Sequence, residues 1–334
     1  MPIFADSFEY NSLEVAMRRG WSFSDPSNTV ITTHWPHRSL NGFGGRYTLR
    51  TGNNNDSVYT PVFSTQTARW CHYWLKTSDG NNYNVTFIAE GWEQFTIDID
   101  SGGTMRLRRG GATGAVVATS SGSIDLSEPH WYEIELVVHN SSGVCNVYID
   151  NDVAAFVSFS GDTQAANNPT FSGWHKVHFG NNTQFGWIDD VIVTDPTEGQ
   201  LGETYGRAMY VAGDNTTALT PNGEAENWKN VLVWGETNYN SGATTATGDL
   251  YDIQGNLALG TVDFISVLGL IGSQNDLRGR PVLKSGATTD LGSLGGGPSS
   301  YVGEVSYYTQ NPDTASAWTE SGVNSIQVGT RTEP

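Results

Sequence analysis

Charged residues are scarce in this chain, and basic ones are the scarcest. Asp, Glu, Lys and Arg make up 16% of the 334 residues, against roughly 25% in ordinary domains. Lys and Arg number 17 against 35 Asp and Glu, a formal net charge of −18. Phosphate affinity and attachment to anionic membranes both depend on clustered Lys and Arg. We therefore expect neither nucleic acid nor a membrane among the partners.

Cysteine and long apolar runs are equally sparse. The two cysteines, Cys71 and Cys145, share no CxxC or ligand spacing, so no metal or redox chemistry is implied. Two buried free thiols are predicted, and pairing of the two stays an open alternative. The longest apolar run, Phe264 to Ile271, is far shorter than the roughly 20 residues that span a bilayer. The chain opens without a charged-then-apolar leader, so we expect synthesis in the cytoplasm without export.

Helical periodicity is nearly absent, whereas aromatic residues and glycine are abundant. Only the stretch Leu13 to Arg19 and the stretch around Thr319 to Ile326 have the pattern of a short helix. The chain contains 39 Gly, 11 Trp, 14 Tyr and 13 Phe. That aromatic content supplies enough apolar area to offset the entropy of ordering. Composition thus predicts a folded all-β protein and excludes a disordered chain.

Short alternating runs between Gly, Asn, Asp and Ser clusters predict the strands of a first domain. The predicted strands are Arg69–Lys76, Val85–Glu90, Gln94–Ile99, Thr104–Arg108, Trp131–His139, Cys145–Asp150, Ala154–Phe159 and Trp187–Thr194. Pro196 and Gly199 then predict a connector that neither pairs nor packs. The predicted division is a domain at 1–196, a linker at 197–205 and a domain at 206–334.

An ordered series of segments carries a resemblance in the first domain. The series comprises Phe4–Phe8 (FADSF), Trp131–Leu136 (WYEIEL), Val147–Asn151 (VYIDN) and Phe185–Asp195 (FGWIDDVIVTD). It resembles the concanavalin A-like lectin/glucanase superfamily in its laminin-G-like form. The resemblance implies a jelly-roll β-sandwich. After it, seven further short runs between Arg207 and Thr330 predict a smaller C-terminal β-sandwich. Function does not follow from the resemblance, because this fold hosts many activities.

The second domain carries another resemblance. Gly206–Thr217 (GRAMYVAGDNTT), the RPVLKSG run at 280–286 and the closing segment Gln310–Gly329 are similar to a tailed-bacteriophage virion structural protein family. Within the closing segment we predict an Asn311-Pro312 turn and a short helix capped by Thr319 or Ser321. The resemblance implies a place in the virion, other virion proteins as partners, and a homo-oligomer, most simply a trimer.

Two pairs of acidic residues are candidates for catalytic carboxylates. Jelly-roll glucanases place two carboxylates on one strand face, where they serve as nucleophile and acid. The nearest pairs here are Glu133 with Glu135 and Asp98 with Asp100, and neither has the third acid of an E-x-D-x-x-E pattern. We interpret them as solvent-facing acids opposite apolar neighbours. The chain is therefore expected not to be an enzyme, with a polysaccharide depolymerase as the alternative.

Loop aromatics give the candidates for glycan contact, since such sites combine aromatic platforms with polar groups. The predicted contact residues are His34, Trp35, His37, Trp92 and Trp174. The competing interpretation places these Trp rings in the core. No cofactor is predicted, but Asp189 and Asp190 leave calcium binding open, because hard oxygen ligands suit Ca²⁺.

These observations lead to one functional expectation with an alternative position on the particle. We expect a non-enzymatic virion structural protein, a tail fibre or baseplate appendage whose lectin-like module contacts host surface glycans. The alternative is a capsid decoration or head-fibre protein. Many weak sites on an oligomer would then act together through avidity.

Overall fold

The computed structural model of the chain describes residues 2–8, 13–24, 26, 29–32, 48–51, 57–77, 82–165, 173–180, 186–204, 209–227, 229, 239–242, 246–254, 261–272, 277–295 and 301–334. It divides into two compact units, Met1–Arg207 and Ala208–Pro334. Strands dominate both units, and the two described helices are short: α1 (Leu13–Arg18) and α2 (Glu320–Val323). The predicted all-β class is confirmed. No helix among the described residues is both long and apolar enough to cross a membrane.

The strands of the first unit form two antiparallel sheets. They are β1 (Pro2–Asp6), β2 (Ser22–Phe23), β3 (Val30–Thr32), β4 (Thr48–Arg50), β5 (Ser57–Tyr59), β6 (Ala68–Thr77), β7 (Tyr83–Ala89), β8 (Trp92–Ile99), β9 (Thr104–Arg109), β10 (Ala115–Ser123), β11 (His130–Val137), β12 (Gly143–Ile149), β13 (Val157–Gly161), β14 (Lys176–Gly180) and β15 (Gly186–Thr194). The first sheet has the order β13-β12-β11-β6-β15-β4-β3, with β1 also paired to β15. The second sheet has the order β10-β9-β8-β7-β14-β5-β2.

The core of this unit lies between the two sheets. Because side chains alternate along a strand, every second side chain of each sheet points inward, and these inward side chains form apolar rows. From the second sheet the buried row includes Val85, Phe87, Ile97, Leu107 and Phe179. Tyr73 of β6 meets Phe179 of β14 edge to face at 5.1 Å, so aromatic contacts join the sheets. The thiols of Cys71 and Cys145 are both free and buried, as expected.

Two hairpin turns fit the local sequence. The β11–β12 hairpin continues into a turn at Asp150 and Asn151, whose φ angles are 52° and 67°, a backbone region that Asp and Asn tolerate. Between β8 and β9, Gly103 has a φ of +79°, and a Cβ there would lie 2.2 Å from the Ile124 carbonyl oxygen. Only glycine fits that position without displacing backbone.

The second unit is smaller and also all-β. Its strands are β16 (Val211–Thr216), β17 (Thr220–Asn222), β18 (Tyr239–Ser241), β19 (Gly248–Ile253), β20 (Ile265–Gly272), β21 (Arg278–Ser285), β22 (Thr288–Leu291), β23 (Tyr301–Tyr308) and β24 (Gln327–Glu333). A five-stranded sheet, β16-β19-β24-β21-β22, accompanies the pairs β17-β18 and β20-β23. The core combines Ile253, Leu283, Tyr308 and Trp318 with Val323 and Ile326. Thr319 caps α2 as predicted, its hydroxyl accepting from Gly322 N–H at 3.1 Å.

Candidate functional site

The outward face of the second sheet is polar throughout its centre. Opposite the buried apolar rows, β5, β7, β8, β9 and β14 turn outward a set of side chains that we call the polar face: Tyr59, Asn84, Thr86, Thr96, Asp98, Arg106, Arg108, Lys176 and His178. Ile88 and Glu93 lie on the same side of the sheet, in line with Lys176. Such a mixture of hydroxyl, amide, imidazole and charged groups is unlike an ordinary solvated face of isolated long side chains. It offers hydrogen-bond donors and acceptors at fixed strand spacing.

Strand register arranges the polar face in two parallel rows. One row runs Arg106, Asp98, Asn84, Gly180, Ser57, and the next runs Arg108, Thr96, Thr86, His178, Tyr59. In the second row, the hydroxyls of Thr86 and Thr96 hydrogen-bond at 3.0 Å. Gly180 carries no side chain, so the surface between Asn84 and Ser57 is low. The two rows therefore form a continuous polar strip across five strands.

One carboxylate organises the cationic end of the strip. Asp98 Oδ2 accepts from Arg106 Nη2 at 2.8 Å and from Arg108 Nε at 2.9 Å. Arg108 Nη1 also donates to the Gly114 carbonyl at 3.0 Å. The Arg106 and Arg108 side chains stay partly exposed, whereas Asp98 is buried. Asp98 is thus a positioning group for two guanidinium groups that face outward.

The other end of the strip is a ring pair. The Tyr59 and His178 rings stack with their centres 4.6 Å apart, and Lys176 Nζ lies 4.4 Å from the centre of the Tyr59 ring. Burial, reinforced by the charge of Lys176, lowers the pKa of His178 to about 4. His178 is therefore neutral near pH 7 and presents an uncharged imidazole.

Three buried polar atoms on the polar face lack a hydrogen-bond partner among the described residues. They are Arg106 Nε, Asn84 Oδ1 and His178 Nε2. Buried polar atoms in folded proteins are nearly always paired with protein or bound water. All three atoms are themselves shielded from solvent, so the parts of this face that a ligand could reach are the partly exposed portions of the side chains.

The outward face of the first sheet holds a carboxylate that is fully engaged. Glu133 is 1% exposed, which corrects the expectation that it faces solvent. Its Oε1 accepts from His72 Nδ1 at 3.2 Å, from Leu201 N–H at 2.6 Å and from Gly202 N–H at 3.0 Å. Asp98 is also buried, so the expectation of solvent exposure was wrong for both acids. Their predicted placement on the side of the strand opposite the apolar residues is right. Two arginines offset the cost of burying Asp98, and hydrogen bonds from His72 and two backbone N–H groups offset that of burying Glu133.

The segment Gln200–Thr204 covers Glu133, and we call it the strap. The strap makes two further hydrogen bonds besides its two N–H bonds to Glu133. The Thr204 carbonyl accepts from Trp74 Nε1 at 3.1 Å, and Gln200 Nε2 donates to the Asp152 carbonyl at 3.0 Å. The sequence predicted an unpacked connector here. Pro196 and Gly199 do end strand pairing, but the backbone N–H groups that follow pair with a buried carboxylate instead.

The ionisation of this cluster favours structure over catalysis. Burial raises the pKa of Glu133. Hydrogen bonds from His72 and from the strap lower this pKa by more than burial raises it, so the pKa of Glu133 falls below its usual range. Burial also lowers the pKa of His72. A neutral imidazole that donates from Nδ1 and accepts from the Thr194 hydroxyl at Nε2 satisfies both contacts. Because donors from His72, Leu201 and Gly202 stabilise its ionised carboxylate, Glu133 has the environment of a buried anchor. A general acid requires a raised pKa.

The structure separates the predicted contact residues. Trp92 is 42% exposed where β8 begins. Trp174 is fully buried between the sheets, with its ring against Phe63 and Phe87 and its Nε1 donating to the Leu136 carbonyl. The prediction of Trp174 as a contact residue was therefore wrong, because its ring fills the core. Predictions for His34, Trp35 and His37 lie outside the described residues.

The two aspartates considered for calcium lie within β15. Asp189 and Asp190 are 1% and 2% exposed, at a bulge where Asp190 has a φ of 45°. Among the described residues, no group of three or more His, Cys, Asp or Glu side chains is placed to hold a metal ion. These aspartates are part of a strand rather than of an acidic loop.

The polar face could not be predicted from the sequence. The alternation in β8 and β9 was visible in runs such as QFTIDI and TMRLR, and it marks Thr96, Asp98, Arg106 and Arg108 as outward residues. Their convergence depends on strand order, which brings β14 beside β7 across nearly a hundred residues of chain. Periodicity alone gives no strand order.

Comparisons with known proteins return structural similarity only. No protein-family profile matches the sequence, and no curated protein matches it. A Bacillus subtilis protein of unknown function with a galectin-like fold aligns at TM-score 0.39 and 8% identity over 57% of this chain and 94% of that one. A Caenorhabditis elegans galectin aligns at 0.28 and 13% over 51% and 99%. An endo-1,3-beta-glucanase from Streptomyces sioyaensis aligns at 0.36 and 11% over 58% and 95%. These identities and scores are too low to assign a function.

Proposed function

We propose that the first unit is a non-catalytic glycan-binding module and that the polar face is its binding surface. The observation that carries the proposal is the strip of outward polar side chains, six of which stay partly exposed: Tyr59, Asn84, Arg106, Arg108, Lys176 and His178. Sugar hydroxyls both donate and accept, so they suit a row of fixed amide, imidazole and hydroxyl groups. The stacked Tyr59 and His178 rings add an aromatic edge for the apolar face of a sugar.

In this proposal Glu133 and Glu135 do not act as hydrolytic groups. A glycosidase needs two carboxyl groups free to reach the bond, roughly 5 to 9.5 Å apart. Glu133 instead accepts hydrogen bonds from His72 and the strap, and Glu135 accepts from Asn146 Nδ2 at 2.8 Å. A depolymerase remains the alternative, and release of reducing ends from a bound polysaccharide would establish it.

Substitution of Asn84 tests the proposal. On a glycan array and by calorimetry with a ligand from it, Asn84→Ala should weaken binding about tenfold, because a partly exposed amide is removed from the strip. The matched control is Asn146→Ala, an outward asparagine on the first sheet. Equal affinities of Asn84→Ala and the wild type, or no ligand on the array, would overturn the proposal. Loss on Trp92→Ala alone would move the site to the start of β8.

The finer proposal places this module on a bacteriophage particle. Support comes from the residue series of the second unit, Gly206–Thr217 and Gln310–Gly329. We propose a trimeric tail fibre or baseplate appendage that contacts host glycans, with a capsid decoration or head fibre as the alternative. Electron microscopy of labelled particles separates the two, since decoration places copies over the head. Absence of the protein from purified particles would contradict both.

Calcium at Asp189 and Asp190 stays a proposal from the sequence. Running the binding assay in EGTA and again with added CaCl₂ tests it. An affinity that rises with calcium would support a role for these oxygens. Identical affinities in the two buffers would contradict such a role.

A further inference from the structure

We propose that the second unit binds a second copy of this chain through the outer face of its five-stranded sheet. The contact joins unlike surfaces, because the basic face of one copy meets an acidic surface of the second unit in the next copy. The proposal rests on the charges of the second unit and does not depend on the glycan function of the first.

Nearly all basic residues of the second unit lie on one face of that sheet. Ala208–Pro334 contains five basic residues and 13 acidic ones. Four of the five basic residues point outward from β21 and β24, and we call their surface the basic face: Arg278, Arg280, Lys284 and Arg331. The fifth, Lys229, lies outside the sheet and pairs with Glu226 at 2.5 Å.

The outward direction of these side chains follows from the alternation along β21. Leu283 belongs to the core, and a Cβ on Gly279 would lie 2.5 Å from Cγ2 of Ile271 in β20. The odd-numbered residues of β21 therefore point inward and the even-numbered ones outward. Strand register then places Arg331 of β24 on the outer side, directly opposite Arg280.

Two carboxylates lie on the same side of the sheet among the described residues. Glu333 Oε1 is 3.3 Å from Arg331 Nε and 3.8 Å from Arg280 Nε. Asp252 Oδ1 accepts from Gln327 Nε2 at 2.9 Å, at the other end of the face. The remaining acids of the sheet, Asp214, Asp249 and Asp290, are on its inner side, opposite inward residues of the paired strands. The outer face thus carries four cations against two carboxylates.

The two central arginines carry an electrostatic cost within one copy of the chain. Arg280 and Arg331 are direct cross-strand partners, and like charges in that arrangement destabilise a sheet. They share the carboxylate of Glu333, and their side chains are 32% and 38% exposed. A carboxylate from a partner would offset the remaining repulsion, because a guanidinium binds carboxylates through paired N–H donors.

An apolar row crosses the basic face beside these arginines. Leu250 of β19, Val282 of β21 and Leu291 of β22 lie in register across the sheet, with Gly329 of β24 between the first two. Leu250 and Leu291 are partly exposed. An apolar centre with a polar rim, and enrichment in arginine, are typical of protein–protein interfaces. The face therefore suits a protein surface better than a small anion.

The acidic protein surface that this chain itself supplies is a second copy. Apart from the basic face and its two carboxylates, the sequence of the second unit has one basic residue against eleven acidic ones. Contacts between unlike surfaces repeat from copy to copy and form a ring or an open chain. Copies with a net charge of −18 repel each other at long range. At physiological salt the screening length is about 8 Å, so the charges at the contact decide association.

Sedimentation velocity of the full chain at micromolar concentration and physiological salt tests this contact. We expect the wild type to sediment as an oligomer. Arg331→Glu should raise the dissociation constant at least about tenfold, because it brings a carboxylate to a face that must meet carboxylates. The same substitution pairs opposite charges across β21 and β24, so we expect the variant to fold and its melting temperature not to fall.

Lys229→Glu is the matched control, since it makes the same charge change elsewhere in the second unit. It should leave the dissociation constant unchanged. A wild type that is monomeric throughout would overturn self-association, and so would an oligomer that Arg331→Glu does not weaken. Equal weakening by Arg331→Glu and Lys229→Glu would show an effect of net charge alone and would overturn the assigned surface. None of these outcomes alters the test of glycan binding by the first unit.

Discussion

At the scale of single residues, the hydrogen-bond partners of a carboxylate decide its role. Glu133 and Glu135 lie two residues apart on one strand, yet only Glu133 is buried beneath the strap. Identical side chains at that spacing cannot be told apart from sequence, because the difference comes from a segment some seventy residues later. What each acid does follows from the groups that donate to it.

Replacing Glu133 tests its role as an anchor. Glu133→Gln removes the charge and places an amide NH₂ among donors from His72, Leu201 and Gly202. We expect the free energy of unfolding to fall by about 1.5 to 3 kcal/mol, the range for hydrogen bonds to charged groups. Urea denaturation measures this loss. The matched control, Glu135→Gln, should lose less than about 1 kcal/mol. A loss of glycan turnover with stability intact would instead support catalysis.

His178 makes stability depend on pH. The folded-state pKa is about 4, below the ordinary 6.5, so the unfolded chain binds a proton that the folded one does not. The contribution of buried, neutral His178 to the free energy of unfolding is complete above pH 6.5. It is lost as pH falls toward 4, at up to about 1.4 kcal/mol per pH unit. In urea titrations at several pH values, His178→Gln should show a shallower loss than the wild type. Identical slopes would contradict the assigned environment.

At the scale of elements, the strap belongs to the first unit rather than to a linker. Its N–H groups cap Glu133 and its Thr204 carbonyl accepts from Trp74. A fragment covering 1–207 should therefore unfold at a higher temperature than one covering 1–196, which ends at the boundary predicted from sequence. Thermal melts followed by circular dichroism compare them. Equal melting temperatures would mean that the strap contributes nothing to this unit.

Two glycine turns of the second sheet offer a paired test. Gly103 and Gly91 both have positive φ, +79° and +82°, but only Gly103 has backbone within reach of an added Cβ. Gly91→Ala should cost about 1 kcal/mol from the strained backbone alone. Gly103→Ala should cost distinctly more in the same denaturation experiment, because the Ile124 carbonyl must move. A smaller loss for Gly103→Ala would contradict this account of the β8–β9 turn.

Elements with strong alternation were predictable, and those without it were not. The runs around β6, β8, β11, β12 and β15 were placed to within about two residues, since bulky residues alternate there. β10, with the sequence AVVATSSGS, was missed because small and polar residues give no two-residue period. β14 was missed because Lys176–Gly180 is short and has His178 and Gly180 in its outward positions. The polar face could not be predicted, since it needs the pairing of β14 with β7.

At the scale of the whole molecule, the acidic chain mixes charges of both signs on the proposed binding face. Its net charge is −18, and on this face Arg106, Arg108 and Lys176 lie among the carboxylates of Asp98 and Glu93. Folding of the first unit depends instead on its buried apolar residues.

A crystal structure of the full chain with an array-identified oligosaccharide would show which surface of the first unit binds a glycan. We predict sugar density along the polar face, within hydrogen-bond distance of Asn84, Arg106 and His178. Density beside Trp92 at the start of β8, with the polar face bare, would contradict the account.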